Sequence, residues 1–252
     1  MSAPLFTGVG VALVTLFDDD GEVDLDGTAA LAGELAAAGM RSIVLAGSTG
    51  EAATLDAAER VALVKVVREV IPSDVPIIVG TGAPSARQAA RLTAEVVEGG
   101  ADGVLALSPP GGADPTAYYA ELVRAAGPVP VLGYHFPAMS APGIDLALLP
   151  RLSEVGVVGL KDSSGDASRL VRTVATFAGD LYVGSPWLLS AAGPLGATGA
   201  ILAVANVEPT LSIEAFGGDP GAQRALATAA ATAAGPANVK RVLGRSQVTR
   251  VG

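Results

Sequence analysis

The chain of 252 residues holds three lysines against thirteen arginines. Lys65 and Lys240 fall in stretches with the spacing of ordinary amphipathic helices. Lys161 instead follows Val157, Val158 and Leu160 in "VVGLKDSSGD" (157–166), where a strand should be entering a core. A lysine amine attacks a carbonyl only when neutral, and an unperturbed one is neutral in about one molecule per few thousand at pH 7. Burial of such an amine disfavours the ammonium, and about three units of depression represent roughly 4 kcal/mol of differential solvation. The neutral amine then forms a Schiff base, and the protonated imine is an electron sink through which a neighbouring carbon–carbon bond breaks or forms. Tyr134, in "YHFPAMS" (134–140), offers a phenol that can pass protons to the carbinolamine and the aldehyde oxygen. Ser48 and Thr49, in "GSTGE" (47–51), put two hydroxyls on a Gly-flanked turn, suited to a small carboxylate or to orienting that tyrosine. A class I aldolase needs this set of groups, with no cofactor and no metal.

From position alone, Lys161 serves equally well as a structural ion-pair partner of Asp162 or Glu51. The single histidine, His135, reads as a packed or hydrogen-bonded neighbour of the site rather than a catalyst. Trp187 reads as pocket wall or core. "GSTGE" lacks the lysine and length of a P-loop, and "GTG" at 80–82 is too short to argue a nucleotide.

Composition bounds the rest. The absence of cysteine excludes disulfides and thiolate metal sites, and one histidine is too few for the usual imidazole metal centres. A net charge of −9 without a basic stripe argues against nucleic acid as a partner. The opening "MSAPLFTGVG" has no basic and apolar leader pattern, and no uninterrupted apolar run is long enough to span a bilayer. A cytoplasmic protein without membrane contact is the expectation.

The elements that must position these groups alternate along most of the chain. Strand patterns occur at 9–15, 42–47, 76–82, 103–108, 130–135, 157–162, 181–184 and 199–206. Helical patterns lie between them, with Asp56 and Ser85 as N-caps and Gly99 as a C-cap. Eight βα units in this length imply an α/β fold, a (β/α)8 TIM barrel over residues 1–216. Residues 217–252 read as a short C-terminal helical appendage, "PGAQRALATAAATAAG" and then "PANVKRVLG". Reactive groups of such barrels stand where the strands end. That rule gathers Thr15, "GSTGE", "SPPGG" (108–112), Tyr134, Lys161, Gly184, Ile201 and Asn206 at one face.

At these residues the sequence resembles the dihydrodipicolinate synthase / N-acetylneuraminate lyase family of pyruvate-dependent class I aldolases. The resemblance runs from about residue 5 to 216 and resumes at "NVKRVLG". It is carried by "GSTGE", by the Y-x-x-P stretch "YHFPAMS" and by "GLKDSSGD". It implies Lys161 as the Schiff-base lysine and Tyr134 as the proton-transferring tyrosine. Ser48 and Thr49 would hold the pyruvoyl carboxylate and join the proton relay, and backbone groups of Ile201 and Gly184 would help hold the ketoacid. Ser163 stands where lyases of the family turn a hydroxyl toward the aldehyde half. The resemblance also implies small-molecule 2-oxoacid and aldehyde substrates and a homo-oligomer, dimer or tetramer.

Four departures from the family pattern bear on substrate and assembly. "SPPGGAD" (108–114) lacks the tyrosine pair that usually follows the fourth strand. Met139 stands where dihydrodipicolinate synthases carry the arginine that clamps the aspartate-semialdehyde carboxylate. "GSPWLL" (184–189) lacks the acidic pair of the neuraminate lyases, and the helical tail is shorter than usual. The expectation is a lyase joining or splitting pyruvate or a related 2-oxoacid and an aldehyde less anionic than aspartate semialdehyde. Two alternatives stay open: a 2-oxo sugar acid dehydratase using the same imine, and a catalytically weakened barrel that binds a ketoacid.

Overall fold

The computed structural model describes residues 3–112 and 114–250. Eight strands, β1 (Gly8–Ala12), β2 (Ile43–Leu45), β3 (Ile77–Gly80), β4 (Gly103–Leu107), β5 (Val131–His135), β6 (Val157–Asp162), β7 (Asp180–Val183) and β8 (Gly199–Leu202), form a closed barrel in sequence order. Every neighbouring pair is parallel, and β8 closes on β1 through Gly10 opposite Ile201. Helices α1 (Leu25–Ala37), α2 (Ala57–Val70), α3 (Ala86–Glu98), α4 (Thr116–Ala126), α5 (Leu149–Glu154), α6 (Ala167–Thr176), α7 (Leu189–Ala192) and α8 (Pro209–Phe216) each follow one strand. Two more, α9 (Pro220–Thr232) and α10 (Pro236–Val242), come after the last strand. This is the (β/α)8 barrel with C-terminal helices that the alternating pattern predicts.

Strand alternation divides the apolar residues into two layers. Ala12, Val44, Ile78, Leu105, Leu132, Tyr134, Tyr182 and Ile201 pack inside the barrel with Phe6. The complementary set, including Val11, Ile43, Val79, Val104 and Leu181, packs outward against the helices. Phe6 stacks on Tyr182 with ring centroids 4.5 Å apart, closing the N-terminal end of the barrel. That plug leaves the opposite end, where the strands finish, for the reactive groups.

Local signals start the helices where the sequence places them. Asp56 accepts from Glu59 N at 2.9 Å and Glu59 accepts from Asp56 N at 2.8 Å, a reciprocal capping box opening α2. Ser85 caps α3 through Gln88 N, and Gly99 ends it. Several strands stop short of the apolar runs that announce them, and past β1 a side chain takes over from the ladder. Beyond β1, Val14 N donates to Asn206 Oδ1 at 3.2 Å, while Asn206 Nδ2 donates to Ala12 O at 2.7 Å. Asn206 thus joins the ends of the first and last strands and is a structural clamp. Val204–Asn206 form a 3-10 turn rather than more strand.

Two readings of the sequence change with the tertiary structure. Trp187 is 54% exposed, so it is not part of the core. Lys240 does not sit on a solvated helix face. It is wholly buried and ion-paired to Glu51 at 2.7 Å. Gln223 of α9 bonds Ser190 N and Pro186 O, which fastens the appended helices to the barrel wall. Among the described residues no helix is long and apolar enough to cross a membrane.

Candidate active site

On β6 the alternation that turns Leu160 and Asp162 toward the helices turns Lys161 into the barrel mouth. Lys161 pairs in register with Tyr134 on β5 and with Tyr182 on β7. Its Nζ lies over the Tyr134 ring, 4.4 Å from the centroid. Lys161 is 5% exposed and Tyr134 4%. Both carboxylates that the sequence offered as partners are taken elsewhere: Asp162 by Arg169 at 2.6 Å and Glu51 by Lys240. Among the described residues, Lys161 forms no ion pair, so the structural ion-pair role suggested by position is not the one it plays.

Ser163, one step beyond β6, donates from Oγ to the Tyr134 hydroxyl at 3.3 Å. Gly184, just past β7, completes the group. A Cβ at Gly184 would overlap Ser163 Oγ and would stand 3.0 Å from Lys161 Cε. Gly184 is therefore the space that the lysine stem and the serine hydroxyl occupy. Ile201 is buried inside the barrel, opposite Gly10 of β1.

Ser48 and Thr49 sit on the turn after β2, half-buried, and neither hydroxyl hydrogen-bonds Tyr134 or Lys161. The turn is tightly built. Glu51 N donates to Ser48 O at 3.2 Å, Ala52 N to Gly47 O at 3.1 Å, and Thr15 Oγ1 to Gly50 O at 2.8 Å. Gly50 is required there, since a Cβ would approach Leu13 O to 2.9 Å. Among the described residues, Ala46 and Glu51 are the two non-glycines with positive φ, 49° and 57°, and they bracket the turn. Left-handed backbone at non-glycine residues costs of order 1–3 kcal/mol each and persists only where surroundings hold it. Arg60, buried beneath, donates to Gly80 O, Ala52 O and Leu55 O, and burial brings its pKa down to about 10.

Behind Lys161, on the helix side of the sheet, three residues the sequence left unconnected form a group. Asp162 pairs with Arg169 of α6, and His135 stands in register with Asp162. His135 Nδ1 accepts from Ile144 N at 2.8 Å, which assigns the remaining proton of the neutral ring to Nε2. Burial lowers the His135 pKa, the Arg169 charge lowers it further, and Asp162 opposes both. His135 is the hydrogen-bonded neighbour the sequence suggested. A cavity of about 580 Å³ opens beside it, lined also by Ile144, Asp166, Arg169 and Arg172. None of the strand-end residues named for chemistry lines that cavity.

The sequence missed Asp162–Arg169 because i to i+7 is not a spacing that brings two side chains together within one helix or strand. It missed Lys240–Glu51 because 189 residues separate them.

A parallel barrel whose sixth strand ends in a buried lysine, beside a tyrosine from the fifth and in no ion pair among the described residues, has the groups that an imine-forming (β/α)8 lyase requires. The chain belongs to the dihydrodipicolinate synthetase family, whose model matches residues 5–224. It is 31% identical over 223 residues to a 4-hydroxy-tetrahydrodipicolinate synthase of Methanothrix thermoacetophila, covering 83% of this chain and 73% of that one. It is 34% identical over 232 residues to a probable mitochondrial 4-hydroxy-2-oxoglutarate aldolase of Emericella nidulans, covering 82% and 71%. Among solved structures, YagE of Escherichia coli in complex with pyruvate superposes with a TM-score of 0.83 at 28% identity, covering 90% and 83%.

Proposed function

We propose that this lyase makes or breaks a carbon–carbon bond between pyruvate, or a related 2-oxoacid, and an aldehyde through an imine on Lys161. The observation that carries the reading is Lys161 itself, buried at a strand end, in no ion pair among the described residues, with Nζ 4.4 Å from the Tyr134 ring. The neutral amine adds to the C2 carbonyl of the oxoacid, and the carbinolamine loses its oxygen as water with protons relayed by Tyr134. In the synthetic direction the imine loses a C3 proton, and the resulting enamine attacks the aldehyde carbon. A proton reaches the new alkoxide, and water returns the product carbonyl and the free amine. The cleavage direction runs the same steps backward. Ser48 and Thr49 hold the oxoacid carboxylate, with backbone at Gly184 and Ile201 supporting it. Ser163, bonded to Tyr134, faces the aldehyde half.

The second substrate is an aldehyde less anionic than aspartate semialdehyde. The β5–α5 segment 136–143 carries Met139, 57% exposed, and no arginine. The working form is a cytoplasmic homo-oligomer, dimer or tetramer, which sedimentation at several concentrations measures.

The test is incubation with pyruvate and borohydride, then peptide mass analysis. A reduced pyruvyl adduct on the peptide containing Lys161 is expected. A label on Lys65 or Lys240, or none, overturns the mechanism. Lys161→Ala and Lys161→Arg both abolish labelling, since a guanidinium stays protonated.

A further inference from the structure

Residues 240–250 reach the turn that carries Ser48 and Thr49. Lys240 of α10 is fully buried, and its Nζ donates to Glu51 Oε1 and to Val248 O, both at 2.7 Å. The other oxygen of the same carboxylate, Glu51 Oε2, accepts from Arg250 N at 2.8 Å. The Arg250 guanidinium reaches Glu59 at 2.6 Å and Gly21 O at 2.6 Å. Lys240 and Arg250 both lie against the Phe17 ring, at 4.5 and 4.7 Å. Residues 240–250 thus clasp one carboxylate from two sides.

That carboxylate belongs to a residue held in left-handed backbone, φ 57°, whose own N–H donates to Ser48 O. Burial lowers the Lys240 pKa, and the hydrogen bond to Glu51 and the charge of its carboxylate oppose that shift. Without the Lys240 ammonium, the buried Glu51 carboxylate loses that ion pair, and less holds the residue at positive φ. Relaxing φ there turns the peptide groups that aim Ser48 and Thr49.

We propose that Lys240 and Glu51 are positioning residues, a clasp through which the C-terminal tail sets the affinity of the Ser48–Thr49 turn for the 2-oxoacid carboxylate. This rests on the lyase reading above. The clasp acts on binding and not on the amine. Removing it weakens occupancy of the site while leaving Lys161 able to react.

The probe is pyruvate, trapped by borohydride over a range of concentrations in the full-length wild type, Lys240→Met and Glu51→Gln. Half-maximal labelling of Lys161 is expected at about tenfold higher pyruvate in Lys240→Met and a few-fold higher in Glu51→Gln, with labelling at saturation kept. A purely structural role would lower the saturating label, by reducing the folded fraction, without moving the half-saturation point. That pattern, or unchanged half-saturation in both variants beside a labelled wild type, overturns the clasp and leaves the lyase reading standing. No label in the wild type overturns both. If Lys240→Met does not fold, Glu51→Gln decides, because it keeps an acceptor for Lys240.

Discussion

Gly184 faces Ser163 so closely that any side chain on Gly184 would overlap the serine hydroxyl and press on the Lys161 stem. The placing of the Lys161 stem therefore depends on an atom that Gly184 lacks. Gly184→Ala should displace Ser163 and Lys161 together. We expect borohydride trapping of pyruvate to slow by about tenfold or more, the scale of a misplaced reacting group. Ser163→Gly removes the overlapping hydroxyl, so adding Gly184→Ala to that variant should cost far less than it does in the wild type. Equal costs in the two backgrounds would show that the crowding is not through Ser163.

Tyr134→Phe keeps the ring beneath Lys161 Nζ and deletes the hydroxyl that Ser163 reaches. Turnover should fall by roughly a hundredfold or more, the usual scale for a positioned proton donor, while trapping of pyruvate persists. An equal loss of both would confine the phenol to imine formation, and near wild-type turnover would remove it from the mechanism.

Aspartate semialdehyde should be a poor second substrate. Its carboxylate is best met by a bidentate arginine, and the 134–143 segment has none. Arg169 is committed to Asp162, and Arg151 to Asp114 at 2.6 Å. A loss of about 3 kcal/mol in transition-state binding lowers kcat/KM more than a hundredfold. A coupled reductase assay beside neutral aldehydes checks this. A kcat/KM for aspartate semialdehyde equal to theirs would overturn the specificity argument and leave the imine chemistry intact.

The lone histidine gives a clean titration. Burial, aided by Arg169, lowers the His135 pKa, so the folded chain resists protonation that the unfolded chain accepts at about 6.5. The unfolded state then binds more protons as the pH falls through that value. The contribution to stability is complete above it and is lost as the pH drops toward the folded pKa. Proton NMR of the single imidazole should give a midpoint below 6.5. A midpoint at or above it would mean that Asp162 outweighs burial.

The strand-end lysine shows why much of this was legible. A parallel barrel strand is buried on both faces and reads as an apolar run, so a lysine closing such a run stands out against its own context. Helix starts were legible for a similar reason: the caps at Asp56 and Ser85 bond within three residues. Strand ends were less so. Leu13 and Val14 look like strand because they are apolar, and Leu13 N still donates to Val44 O at 3.0 Å, but Val14 N donates to Asn206 Oδ1 instead of to a neighbouring strand.

The sequence by itself determined the eightfold alternation and the placing of Lys161 and Tyr134 side by side at the strand ends, because each rests on periods of two and 3.6 residues or on order along the chain. Only the tertiary structure decided which charges meet. Lys240 has the spacing of a surface helix residue, yet it is buried against a carboxylate 189 positions earlier. Asp162 follows Lys161 in the chain but faces the other side of the sheet and belongs to Arg169. Burial of a long side chain is set by what folds over it, and a partner brought from the far end of the chain leaves no mark on local spacing.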